Sequence, residues 1–157
     1  MYNPVQIARR FIVLAASAGH QLTHMQLQKL TYIAHGYSLA ILDRPLLNEP
    51  VSAWKFGPVI PGMYDTFKQF GNRGIPIDLG LVSMNATDID SQAESIIEGV
   101  YATYGGKDGI ALSSLTHQPG TPWSEAYNGY MSTVIPNDLI KSYYNNLVFE
   151  QSNCKGL

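Results

Sequence analysis

The twelve residues Ala53-Trp54-Lys55-Phe56-Gly57-Pro58-Val59-Ile60-Pro61-Gly62-Met63-Tyr64 constrain this chain more than any other stretch. From Ser52 to Phe56 small or polar residues alternate with aromatics, the period of a short strand. Gly57-Pro58 ends that strand, because glycine accepts unusual backbone angles and proline drives the residue before it out of the helical region. Pro61 suits the first turn of a helix, and Met63, Tyr64, Phe67 and Phe70 follow at helical spacing up to Gly71. The stretch predicts a strand, a sharp corner and a helix start, with two large aromatics beside the corner. It contains no catalytic motif.

Helix signals dominate the rest. Asn3-Pro4 opens a helix that Gly19 closes, with Ile7, Phe11, Leu14 and Ala18 on one face and Arg9 and Arg10 on the solvated side. Thr23-His24-Met25-Gln26 is a capping box, flanked by Leu22 and Leu27 as a hydrophobic staple. Leu27, Leu30, Ala34, Tyr37 and Ile41 then form a buried stripe, and Gly36 within it implies close approach by another backbone. Arg44-Pro45 breaks this helix. Thr87–Tyr104 reads as a helix with Asp88, Asp90 and Glu94 at its positive end. Asp108 caps a short helix that ends near His117, Thr121-Pro122 starts another, and Pro136 opens a last one with Leu139, Ile140, Tyr143 and Leu147 inside. Ile75-Pro76-Ile77 and Leu79–Val82 are short apolar runs suited to pairing with Val51–Lys55. The expected class is mainly α, a compact body of about six to seven helices with a small hairpin or short sheet around residues 46–56 and 75–82. Residues 1–150 form one domain on this reading, and 151–157 a disordered tail.

Charge and chemistry exclude several functions. Charged residues are 14% of the chain, below the roughly 25% usual in soluble domains. Either a partner covers part of the surface, or Ser, Asn, Gln, Thr and Tyr supply its polarity. A net charge of −2 offers no footprint for a phosphate backbone. Two helices over residues 4–42 allow a helix-turn-helix, but the second brings only His24, Gln26, Gln28, Lys29 and His35 as polar groups, too little positive charge for a reading helix. Ten Tyr and two Trp favour a protein-binding face or a tyrosine-lined core edge. Cys154 is the single cysteine, so no disulfide framework or thiol metal site arises within one chain. His20 lies outside the helix that carries His24, which breaks the geometry of a metal pair. With no signal-peptide or membrane-span pattern near the N-terminus, a cytoplasmic protein is expected. Ser113, Ser114, Thr116 and His117 invite a nucleophile-and-base reading, yet no G-x-S-x-G turn accompanies them. His117 reads instead as a structural histidine bonded to the corner or set against Trp123.

Three blocks together resemble a known family. They are Leu27-Gln28-Lys29-Leu30-x-Tyr32-x-Ala34-x-Gly36, then Ala53-Trp54-x-Phe56-Gly57-Pro58-Val59-x-Pro61-x-x-Tyr64-x-x-Phe67-Lys68, and Leu112-Ser113-x-Leu115-Thr116-His117 with Pro122-Trp123. They resemble the Panacea domain, the SocA-like family also called phage-associated or GepA-like, over residues from about 5 to 145. The departure is a longer gap between His117 and Pro122. The resemblance implies a non-enzymatic antitoxin, without a cofactor, that neutralises a cognate toxin by direct contact. It also implies a ClpXP-type protease as a second partner for the SocA-like branch. Tyr32, His35, Trp54, Phe56, Tyr64, His117 and Trp123 become the expected corner or partner-binding residues. Nucleic acid and membrane are not expected partners, and self-association is left open. The rival readings are a prophage-encoded protein acting on a host target, a hydrolase using His117, and a DNA-binding autoregulator.

Overall fold

The computed structural model describes residues 1–77, 88–130 and 133–155. Among these, seven α-helices surround a three-stranded antiparallel sheet: α1 (Pro4–Ser17), α2 (His24–Tyr37), β1 (Val51–Trp54), β2 (Gly57–Val59), α3 (Pro61–Phe67), α4 (Ser91–Tyr104), α5 (Gly109–His117), α6 (Pro122–Ala126), β3 (Thr133–Ile135) and α7 (Asn137–Lys155). The mainly helical class with a small sheet is the expected one.

Helix starts follow local chemistry. Asn3, Thr23, Asp108 and Thr121 each accept a backbone N–H of the helix they cap, which satisfies donors that have no partner within the helix. At Thr23 the box is reciprocal, with Gln26 Oε1 accepting Thr23 N at 2.8 Å. The α4 start differs from expectation. Its cap is Asp90, whose Oδ1 accepts Ala93 N at 2.9 Å, and the expected start at Thr87 lies outside the described residues.

Helix α2 runs through the middle of the body. Twelve of its fourteen residues are buried, so no side of it faces water as an amphipathic stripe requires. It packs against α1, α3, α4, α5, α7 and β2. The polar residues Gln28, Lys29, Thr31 and His35 are therefore inside. After Tyr37 the chain widens into a π-turn over Ser38–Leu42. That insertion turns the register so that Leu39 is buried and Ile41, expected in the stripe, is exposed. In α1 the buried face is Ile7, Ala8, Phe11, Ile12 and Ala15, while Leu14 is only half-buried and Ala18 is exposed. Arg10 ties α1 to α4 through Glu94, with Nε 3.1 Å from both carboxylate oxygens.

The close approach at Gly36 is by a side chain, not by another backbone. A Cβ there would fall 2.3 Å from Cδ2 of Tyr144. Tyr144 joins Ile140 as the buried residues of α7, while Leu139, Tyr143 and Leu147 are half-buried. Helix α7 continues to Lys155, past Gln151 where a disordered tail was expected.

The sheet differs from expectation in its partners. Its order is β2-β1-β3, with Ser52 opposite Val59 and, on the other edge, Val51 opposite Ile135. Both edges of β1 are thus taken. Residues 75–77 form no strand; Ile75 N donates to Leu22 O at 2.8 Å and the side chain is buried. The other expected partner, Leu79–Val82, lies outside the described residues, and among the described residues 75–77 pair with no strand. Gly57-Pro58 is not the corner itself. The turn is Lys55-Phe56, and Pro58 sits inside β2, an outer strand where a missing N–H is tolerated.

Candidate partner-binding groove

The β1–β2 hairpin is held from behind by side chains from three helices. Trp123 Nε1 of α6 donates to Trp54 O at 2.6 Å, Ser113 Oγ of α5 to Phe56 O at 2.6 Å, and Lys29 Nζ of α2 to Pro58 O at 2.9 Å. These are alternate carbonyls along one hairpin. Gln28 extends the series to Ile60, accepting its N–H at 2.8 Å and donating to its O at 3.3 Å. Four side chains thus hold main-chain groups of residues 54, 56, 58 and 60. Gly57 lets the grip close. It has φ +117, a conformation that L side chains rarely adopt, and a Cβ there would lie 3.1 Å from Lys29 Nζ.

In front of the bracket lies a groove of about 490 Å³ between the first turns of α2, the hairpin and α3. Trp54, Phe56 and Tyr64 make its aromatic wall, and the ring centroids of Trp54 and Tyr64 are 5.0 Å apart. Phe56 is 63% exposed and Tyr64 37%. Lys55 Nζ lies 5.5 Å over the Phe56 ring. Lys29, 2% exposed, lies at the floor. Burial without a counter-charge pulls its pKa down to about 7. His24 stands beside it with its pKa lowered, first by burial and then by the Lys29 charge, and its ring nitrogen is 3.1 Å from the Gln28 amide.

The seven expected residues do not share one surface. Trp54, Phe56 and Tyr64 line the groove, and His117 and Trp123 stand behind the hairpin with rings 5.2 Å apart. Tyr32 and His35 are buried core residues further along α2. The Tyr32 hydroxyl is buried without a hydrogen bond, and burial raises its pKa. His35 Nδ1 accepts Leu46 N and Leu47 N, each at 3.3 Å, and its Nε2 is 3.0 Å from Asn137 Oδ1. That pattern fixes the neutral tautomer with hydrogen on Nε2, which pins the loop before β1 and the start of α7 to α2. Burial lowers the His35 pKa, opposed by the Asn137 bond.

Ser113 and His117 are neighbours, but not as nucleophile and base. The Ser113 hydroxyl proton is given to Phe56 O, and His117 Nδ1 faces the carbonyl oxygen of Ser113, which requires hydrogen on that nitrogen. Nδ1 therefore has no lone pair to offer Ser113 Oγ, 3.4 Å away. His20 bonds to the Tyr101 hydroxyl at 2.9 Å, apart from His24. Among the described residues no cluster of three His, Cys, Asp or Glu side chains could hold a metal, and no helix is long and apolar enough to cross a membrane. Helix α2 cannot read a nucleic-acid groove while buried, since Gln28, Lys29 and His35 point into the body and Gln26 Nε2 donates to Lys107 O at 2.9 Å.

Gln28, Lys29, Ser113 and Lys55 were not among the expected site residues. The available signal was the polar pair Gln28-Lys29 set between Leu27 and Leu30 in a helix otherwise suited to the core. A body of helices presenting a braced hairpin beside an open aromatic groove is a binding scaffold in form. The family model described as "Antitoxin SocA-like, Panacea domain" matches residues 27–124, which takes in Gln28, Lys29, the whole hairpin, Ser113 and Trp123. Antitoxin SocA of Caulobacter vibrioides (strain NA1000 / CB15N) is 35% identical over 130 residues, covering 78% of this chain and 69% of that protein. No solved structure matches the chain. The chain belongs to the SocA-like, Panacea-domain antitoxin family.

Proposed function

We propose that this protein is an antitoxin that neutralises a protein toxin encoded beside it, by binding the toxin directly in the cytoplasm. The observation that carries the reading is the family match over residues 27–124, which contains the braced hairpin and most of the residues that line the groove. Nothing is catalysed on this reading. The engagement of Ser113 with the hairpin carbonyl of Phe56, and of His117 with the Ser113 carbonyl, supports it, since neither side chain is left to act as nucleophile or base. Rigid support from behind suits binding, because a presented surface that is already ordered loses little entropy on association.

Co-expression with the product of the adjacent gene tests the proposal. The expected result is that the product arrests growth alone and is harmless beside this chain, with the two proteins purifying together. A neighbour that is harmless alone, or that stays toxic, overturns it; recovery of a host protein in its place would favour a host-directed interaction protein. Toxin level in the same cells separates two modes. Sequestration leaves it unchanged, whereas delivery to a ClpXP-type protease shortens its half-life in cells that carry the protease.

A further inference from the structure

The groove carries a charge pattern that its aromatic wall does not explain. Lys29 lies at its floor, Lys55 and Lys68 at its edges, and no carboxylate is among the described residues that line it. An ammonium has three donors, and Lys29 Nζ uses one on Pro58 O. Lys68 is held by Asp65 at 3.0 Å, but both side chains are largely exposed, so this pair exchanges cheaply with water or with a competing anion. A cation buried to 2% exposure beside an open apolar groove is a site waiting for a counter-charge.

We propose that this groove receives an acidic segment of the partner polypeptide, its apolar or aromatic side chains against Trp54, Phe56 and Tyr64 and its carboxylates on Lys29, Lys55 and Lys68. The identity of the partner as a toxin rests on the antitoxin reading; the chemistry of the occupant rests on the groove. Side-chain carboxylates fit better than a chain terminus. The three amines stand on three separate elements, α2, the hairpin turn and the turn past the end of α3, an arrangement that suits several carboxylates along a segment. The lowered pKa of Lys29 agrees with this, since an arriving carboxylate returns to the amine the stabilisation that burial removed.

The test uses the full chain and three peptides: an N-acetylated, C-amidated peptide alternating Glu with Phe and Leu, its Gln counterpart, and the Gln counterpart with a free C-terminal carboxylate. Tryptophan fluorescence reads binding, since Trp54 lines the groove. The Glu peptide is expected to bind at least about tenfold more tightly than either Gln peptide. Lys55→Glu/Lys68→Glu should remove most of that preference at an unchanged melting temperature, because both residues are exposed. Lys29→Met should remove it too; if that variant fails to fold, the double variant decides. Equal binding of Glu and Gln peptides, no binding of any, binding of the free-carboxylate peptide alone, or an unaffected double variant would each overturn the proposal. In cells the two readings separate. Neutralisation by the wild type and equally by the double variant sinks the groove and spares the antitoxin; no neutralisation by the wild type sinks the antitoxin, while the peptides still judge the groove.

Discussion

The two halves of α2 are both largely buried and are held differently. Its first half places Gln28 and Lys29 inside, where they are bonded to hairpin backbone next to the open groove. Its second half is enclosed by aromatic rings. Tyr37 and Tyr144 meet edge to face at 5.0 Å, Tyr143 and Tyr144 at 5.1 Å, and the hydroxyls of Tyr37 and Tyr104 are 2.9 Å apart. One end spends a buried cation to place a loop; the other excludes water for cohesion. The comparison teaches that burial alone does not mark a core: the polar half is where the hairpin beside the groove is set, and the aromatic half is where the body is held together.

The sharpest way to break this contrast is to titrate stability. Lys29 has a folded pKa of about 7, below its unfolded value of about 10.4. Between those values the unfolded chain holds more protons, so stability should rise as pH goes from 7 to 10, on the order of a few kcal/mol. The tyrosine half responds in the opposite sense. Burial raises the pKa of Tyr32, Tyr104 and Tyr144, so above about pH 10 the unfolded chain loses protons first and stability should fall. Urea unfolding between pH 6 and 11 checks both limbs, and Lys29→Met should flatten the first alone. A flat or falling wild-type curve from pH 7 to 10 would mean that Lys29 is not confined as described.

His35→Ala should cost about 3 kcal/mol, since it opens a cavity and strands two buried backbone donors at Leu46 and Leu47. Chemical denaturation measures it. Gly36→Ala should destabilise by about 1–3 kcal/mol through collision with the Tyr144 ring, against a helix-propensity gain of roughly 1 kcal/mol. A double variant with Tyr144→Leu should recover part of that loss, and strictly additive costs would show that the ring is not the obstacle. The smallest effect belongs to the groove. Phe56→Ala should change stability by less than about 0.5 kcal/mol because the ring is mostly exposed, while weakening retention of the toxin in co-purification.

What the sequence revealed was what a few adjacent residues determine. The caps at Asn3, Thr23, Asp108 and Thr121 are local, and so are the helices they start. The pairing of β1 with Thr133–Ile135 spans about half of the chain, and no local pattern announces it. Residues 75–77 looked strand-like because Ile75 is apolar, but its side chain joins the helical core. In the candidate site, Trp54 and Phe56 were legible as large aromatics at a turn, and Tyr64 as an aromatic on the helix that follows. Lys29 was not, because a lysine in a helix ordinarily reaches water, and its burial depends on a carbonyl twenty-nine positions away. His35 was legible as special, but not its hydrogen-bond partners Leu46, Leu47 and Asn137, which are distant in the sequence or set by the loop.

The grip on carbonyls 54, 56 and 58 involves main-chain oxygens alone on the hairpin side. Every amino acid carries such an oxygen, so the clamp is blind to which side chains the strand and turn display. Residues 55 and 56 can therefore be exchanged over generations without loosening the mount beneath them. A scaffold wired this way can follow a changing adversary by swapping its fingertips while the hand stays the same.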